Sequence, residues 1–296
     1  MRGVVALLYH GVGEPADPAE GRRWTVTAAE LEAQLDAVAG AGGAMDPRRA
    51  TTGDSGIALT FDGGERSVLG EAVPRLARRG FVGALFVTTA RLGRRGWLGA
   101  DEVKAVRAAG WLVGARGHTG RPLGALPPAE LEEELSLSRR ALAAILGSPP
   151  AHLAFPGGRT SRRAEDAARA HGFTTLWSSS AGVNAAALPE GPLRRTAIRR
   201  GEPLSRFRRL VRGDLLTHAA SRLDGALRDA ARRALGDARW DALVEPRYDL
   251  VSGKLLAALE RARHLSMATS TGVAERSDAS SLGATPTRNP RDPPFT

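Results

Sequence analysis

The chain has 296 residues, is 42% apolar, and carries a formal net charge of +10 with no cysteine. The missing cysteines exclude disulfides and thiolate metal sites, and no apolar run approaches the roughly 18 residues of a membrane-spanning helix. The length suits one large domain of roughly 200 to 250 residues with an appendage.

The chain enters an apolar run, Val4-Val5-Ala6-Leu7-Leu8-Tyr9, almost at once. The run is short and has no small-residue cleavage site, so it reads as a core strand and not as a signal peptide. The cytoplasm is then the expected compartment. Thr27 and Glu30 have the spacing of a capping box, and residues 28–40 follow with Leu31, Leu35 and Val38 on one face. A repeated unit then sets the pattern: helix, Gly, aromatic, strand. Gly80-Phe81, Gly110-Trp111 and Gly172-Phe173 each precede a short apolar run. Each Gly sits where a helix ends in a left-handed residue. Each following run is nearly continuous, as in strands buried on both faces. A second amphipathic helix is predicted over 128–146, with Leu131, Leu135, Leu142 and Leu146 aligned.

Strands are predicted near 4–9, 57–61, 82–88, 111–115, 152–155, 173–178 and 194–198. Their alternation with helices predicts a parallel sheet wrapped by helices. Seven such units without a dinucleotide-binding glycine fingerprint favour a barrel over an open doubly wound sheet. Residues 215–264 read as two or three helices, with Leu215, Leu216, Leu223, Leu227 and Leu235 among the leucines available to pack. From about residue 266 Ser, Thr, Pro and Asp dominate, the composition of a disordered tail. The expected divisions are a barrel over 1–214, a helical extension over 215–265 and a tail over 266–296.

The basic balance is not read as a nucleic-acid signal. Only Lys104 and Lys254 are lysines, so arginine supplies 40 of the 42 basic residues in a chain also rich in Ala and Gly. That pattern marks a compositional bias. One cluster, Arg194, Arg195, Arg199, Arg200, Arg206, Arg208, Arg209 and Arg212, has only Phe207 interleaved. It suits an anionic glycan or lipid phosphate better than nucleic acid.

In a barrel the chemistry sits at the C-terminal ends of the strands. Tyr9 and His10 end the first strand. Asp62 ends the second, within Thr60-Phe61-Asp62-Gly63-Gly64-Glu65. Arg116 and His118 follow the fourth, and the turn Phe155-Pro156-Gly157-Gly158 follows the fifth. A carboxylate between an apolar strand and a Gly pair is costly unless paired or used, so Asp62 leads the candidates. The bland readings are packing at the mouth for His10, a loop hydrogen bond for His118, and an exposed first helical turn for Glu65. If Asp62 and Arg116 both point inward they pair, and the cation then leaves Asp62 ionised and a weaker base.

Over roughly residues 4–213 these motifs, in this order, resemble the polysaccharide deacetylases of the NodB-homology type. The stretches concerned are Leu8-Tyr9-His10-Gly11-Val12, Leu59-Thr60-Phe61-Asp62-Gly63-Gly64, Ala84-Leu85-Phe86-Val87, Gly114 to Leu123, and Ala154-Phe155-Pro156-Gly157-Gly158-Arg159. The resemblance implies an α/β fold, a distorted (β/α)7 barrel, here with a C-terminal helical extension. It implies hydrolysis of carbon–nitrogen bonds in N-acetylated sugars. The family uses a divalent metal such as zinc, held by an Asp and two His, to polarise the amide and activate water.

Carried over residue by residue, the family's general base falls on Asp62. The metal-binding Asp falls on Gly63, and the two metal-binding His fall on Arg116 and Gly120. No metal or other cofactor is therefore expected. The late strand carries Arg194 and Arg195 in place of a general-acid His. The catalytic candidates are Asp62, His10, Arg116 and His118, and the substrate-contact candidates are Tyr9, Pro156, Gly158 and Arg195. The expected ligand is a carbohydrate or other N-acylated substrate, and no partner protein is indicated. Three readings follow: a deacetylase-type hydrolase with its usual ligands replaced, a non-catalytic glycan-binding or partner-assisting pseudoenzyme, or a metal-free enzyme using Asp62, His10 and Arg116.

Overall fold

The strands are β1 (Val4–Tyr9), β2 (Gly11–Val12), β3 (Thr25–Val26), β4 (Gly56–Gly63), β5 (Ala84–Val87), β6 (Leu112–Ala115), β7 (His152–Ala154), β8 (Thr175–Trp177), β9 (Val183–Asn184) and β10 (Thr196–Ala197). The computed structural model describes residues 3–16, 21–185 and 191–235. They fall almost wholly in the first of two compact units, Met1–Ala226; the second, Leu227–Thr296, is described only over 227–235. The helices expected beyond residue 235 and the tail expected from residue 266 lie outside the described residues.

The main sheet runs β10-β1-β4-β5-β6-β7-β8, with β9 added antiparallel to β1. The path is parallel throughout, and β1 meets β4 in register from Val4–Gly56 to Tyr9–Phe61. A bridge from Trp177 to Leu193, and the pairing of β10 with β1, link the last strand back to the first. All seven strands expected from the sequence are present. β2, β3 and β9 are two residues each, too short to leave a period-2 pattern.

Side-chain alternation divides the core into two layers. Val5, Leu7, Tyr9, Leu59, Phe61 and Leu85 face the helices. Val4, Ala6, Ala58, Ala84, Phe86 and Trp177 form a smaller cluster inside the curl. Both layers exclude water, which is why the strands read as continuous apolar runs.

The helices are α1 (Ala28–Ala39), α2 (Val73–Ala77, entered through a wide turn over Val68–Ala72), α3 (Ala100–Ala108), α4 (Pro128–Leu146), α5 (Arg162–Ala170), α6 (Leu204–Val211) and α7 (Leu215–Leu235). The capping box of α1 is formed. The Glu30 amide donates to Thr27 Oγ1 at 3.1 Å, and the Thr27 amide donates to Glu30 Oε2 at 2.6 Å. α4 ends at Gly147 with φ +73°, a left-handed cap. It buries Leu131, Leu135 and Leu142, and also Glu134.

α7 reverses the expected packing. Leu215, Leu216 and Leu223 are 71%, 63% and 61% exposed, while Thr217, His218 and Asp224 are buried. His218 Nδ1 bonds Thr196 Oγ1 at 3.0 Å and its Nε2 bonds the Leu210 carbonyl at 3.1 Å. Arg199 pairs with Asp224 at 2.9 Å, and Arg222 donates to the Ala181 carbonyl at 3.0 Å. Polar groups, not leucines, seat the first turns of this helix. The arginine cluster is likewise drawn into the fold. Arg200 donates to the carbonyls of Thr25 and Gly13, and Arg206 bonds Glu202 and Ser221. No helix among the described residues is long and apolar enough to cross a membrane.

Candidate functional site

Asp62 occupies the penultimate position of β4 and points into the curl, two residues beyond the inward-facing Thr60. It is 2% exposed. Arg195, just before β10, faces it and is wholly buried. Arg195 Nη1 donates to Asp62 Oδ1 at 2.6 Å and Nη2 to Oδ2 at 3.0 Å. This is the two-pronged geometry in which a guanidinium matches a carboxylate. The rest of the Arg195 head is also engaged. Its Nε donates to the Ser178 carbonyl at 2.8 Å, Nη1 reaches Thr60 Oγ1 at 3.2 Å, and the plane lies over Phe86 at 5.1 Å.

Arg116 follows β6 directly and approaches Asp62 from the other side. Its Nε donates to Oδ2 at 3.2 Å and its Nη1 to Thr88 Oγ1 at 3.3 Å. Asp62 Oδ2 thus accepts from both arginines. The pairing anticipated between Asp62 and Arg116 is present. The bidentate partner, Arg195, was expected to contact substrate; its complete burial and its bonds to Asp62, Thr60 and Ser178 correct that expectation.

The electrostatics follow from two cations sharing one carboxylate. Burial alone would raise the Asp62 carboxyl, but Arg195 and then Arg116 hold it below the usual carboxylate range. Burial and the repulsion of Arg195 and Arg91 outweigh Asp62 at Arg116, whose guanidinium is pushed down. Burial, aided chiefly by Arg116, pushes His10 down to about 4, against the pull of Asp62. His10 is therefore neutral near pH 7, and its Nδ1 is buried without a hydrogen bond. Glu65, expected to be exposed, is instead 5% exposed. Its carboxyl is raised by burial, partly offset by the Ala16 amide, which donates to Oε2 at 3.3 Å.

The glycines around this cluster set its shape. Gly63 has φ +101°, and a Cβ there would meet the Trp97 ring at 3.2 Å. Gly120 has φ +86°, and a Cβ there would lie 3.7 Å from Arg116 Nη1. The loop after β6 thus doubles back beside the Arg116 head.

His10, Asp62, Arg116 and Arg195 share one site. Tyr9 has the parity of Val5 and Leu7, so it faces the helices, stacked on Phe61 at 5.2 Å. Strand alternation corrects its expected substrate contact. His118 turns its Nδ1 to Thr89 Oγ1 at 2.9 Å, the loop hydrogen bond weighed for it from the sequence. Pro156 and Gly158 form the turn after β7, where a Cβ on Gly158 would come within 2.7 Å of Ser179.

Sequence reasoning missed Glu134 of α4. Its carboxylate accepts from the amides of His118, at 2.6 Å, and Thr119, at 2.9 Å, and from the Thr119 hydroxyl. This anchors the loop that carries Arg116. A glutamate in register with Leu131 and Leu135 was the available signal. Thr88 and Arg91 were missed as well, because nothing local marks loop residues after β5.

The sequence profile described as polysaccharide deacetylase matches residues 49–176. No curated protein sequence matches the chain. Among solved structures, the fold resembles IcaB from Ammonifex degensii, with TM-score 0.61 and 20% identity over 72% of this chain and 98% of that one. It resembles the Streptococcus pyogenes deacetylase PplD in complex with acetate, with TM-score 0.62 and 19% identity over 71% and 98%. A polysaccharide deacetylase from Bacillus cereus gives TM-score 0.61 and 19% identity over 71% and 69%. At these identities the structures speak for the fold, and the family resemblance rests on the polysaccharide deacetylase profile over residues 49–176.

Proposed function

We propose that this barrel is a non-hydrolytic member of the polysaccharide deacetylase family, a glycan-binding domain whose catalytic carboxylate has become part of an ion cluster. The observation that supports this is Asp62 held on both oxygens by Arg195 and again by Arg116. A general base works best with a pKa near the working pH and a lone pair facing its proton. Asp62 is held below that range, and its oxygens already accept three hydrogen bonds.

The residues present do not fit the family's divalent cation. Such an ion needs about three protein ligands with water completing its shell. The positions that the resemblance assigns to it hold Gly63, Gly120 and Arg116. Glycine has no side-chain donor, and a guanidinium stays protonated and repels a cation. Among the described residues no three His, Cys, Asp or Glu side chains converge. The family makes a carbohydrate the ligand class. The Streptococcus pyogenes deacetylase was solved with acetate, and a small carboxylate is a group that Arg116 suits.

Metal analysis of dialysed protein and an acetate-release assay on chitooligosaccharides, with and without zinc, cobalt or nickel, test this. Metal well below one equivalent and acetate at the blank level are expected. Stoichiometric retained metal, or acetate release lost in Asp62→Asn, would overturn the reading.

A further inference from the structure

We infer that the mouth of the barrel is a carboxylate site, with Arg116 as the anchor for a sugar acid such as a hexuronate within an acidic glycan. This deepens the glycan-binding reading and rests on it.

The geometry separates the two arginines on Asp62. Arg195 is wholly buried and matched prong for prong, so it belongs to the fold. Arg116 is under-matched. Only its Nε reaches Asp62, and it does so at an oxygen that Arg195 already holds. Its Nη1 makes one long bond to Thr88, and its Nη2 makes none among the described residues. Its side chain is 14% exposed, whereas that of Arg195 is wholly buried, so Arg116 is the arginine of the pair open to the mouth. Two N–H groups in a fixed fork are what a carboxylate takes in a bidentate contact.

The charges around this head point the same way. Arg91, Arg116 and Arg195 all act on His10, and Asp62 is the single carboxylate acting with them. His10 adds no charge near pH 7 and brings a buried Nδ1 with no hydrogen bond. At the Asp62 cluster two guanidinium groups share one carboxylate, in a place where water screens poorly. A monoanion corrects this imbalance. A neutral N-acetyl sugar leaves it uncorrected, and a dianion beside Asp62 meets its carboxylate. A Cβ at Gly120 would lie 3.2 Å from Thr88 Cγ2 and 3.7 Å from Arg116 Nη1, so the glycine lets the loop pass close beside the guanidinium.

Titration calorimetry on the full chain at low salt, with glucuronate, acetate, glucose and N-acetylglucosamine as probes, tests the inference. Glucuronate is expected to bind more tightly than acetate, and both neutral sugars at least about 10-fold more weakly than glucuronate. Arg116→Gln should weaken glucuronate about 10-fold to 100-fold, and Arg116→Lys, which keeps the charge without the fork, should fall between. Asp62→Asn removes the competing carboxylate and should tighten glucuronate, whereas a purely structural ion pair would give no gain. Thermal melts confirm that each variant is folded; if Asp62→Asn is not, the Arg116 pair decides. Equal binding of glucuronate and glucose, acetate binding as tightly as glucuronate, an unchanged Arg116→Gln, or no binding of any probe would overturn it. Those outcomes leave the non-hydrolytic reading standing, whereas acetate released from chitooligosaccharides strikes that reading.

Discussion

At Asp62 the cost of removing one partner exceeds the value of the pair. A buried ion pair gains Coulomb energy but gives up hydration of both ions, so its net worth is small. Removing one member is different, because the other stays buried and uncompensated. Asp62→Asn leaves Arg195 in that position and is expected to destabilise the fold by about 3 to 5 kcal/mol, read as a lower urea midpoint. The double change Asp62→Leu, Arg195→Met should recover most of that loss. A single Asp62→Asn with an unchanged midpoint would refute the account. Arg116 is partly exposed and bonds Asp62 through one nitrogen, so its truncation should cost less. Asp62 was legible in the sequence, since a carboxylate between an apolar strand and two glycines demands a reason. Its bidentate partner was not, because 133 residues separate them and no local pattern records which late arginine turns inward.

Among the elements, long periodic ones were readable and short or polar ones were not. The apolar runs of β1, β4 and β5 and the leucine faces of α1 and α4 carry their own signal. β2, β3 and β9 carry none, and the seating of α7 by His218, Arg222 and Asp224 inverts the rule that leucines point inward. Glu134 shows the same limit within a helix that was read correctly. It sits in Glu132-Glu133-Glu134, which looks like a solvated run, yet position 134 shares the face of Leu131 and Leu135. Hydrogen bonds to a charged group are worth about 1.5 to 3 kcal/mol each. Glu134→Gln should therefore raise hydrogen exchange at the amides of His118 and Thr119 by about 10-fold or more. Exchange as slow as in the parent would mean that the loop is held by something else.

Taken as a whole, the molecule holds three histidines where their charged form is disfavoured. His10 and His152 are pushed down to about 4, chiefly by burial and then by the neighbouring Arg116 and Arg48 respectively; His218 is also lowered, chiefly by burial. Unfolded histidines titrate at about 6.5, so below that pH the unfolded chain binds protons that the native chain refuses. Stability is then full above about pH 6.5 and falls as the pH drops toward 4, with a slope of up to about 1.4 kcal/mol per pH unit for each histidine. Asp62, whose carboxyl is depressed, adds its own loss below the ordinary carboxylate range. Urea midpoints at several pH values from 7 to 4.5 should decline, and His10→Gln should decline less steeply. A flat profile over that window would contradict the burial of neutral imidazoles.

Gly63 sets what the loop can accept as well as its chemistry. At φ +101° the backbone lies where L side chains are rarely found, and the Trp97 ring stands 3.2 Å from where a Cβ would go. A left-handed residue other than glycine costs about 1 to 2 kcal/mol before any clash is counted. An aspartate arriving there by a single mutation would meet a strained backbone, an aromatic ring in its path and two arginines already holding its neighbour. The backbone itself, before any question of charge, therefore selects against every side chain at this position, a carboxylate included.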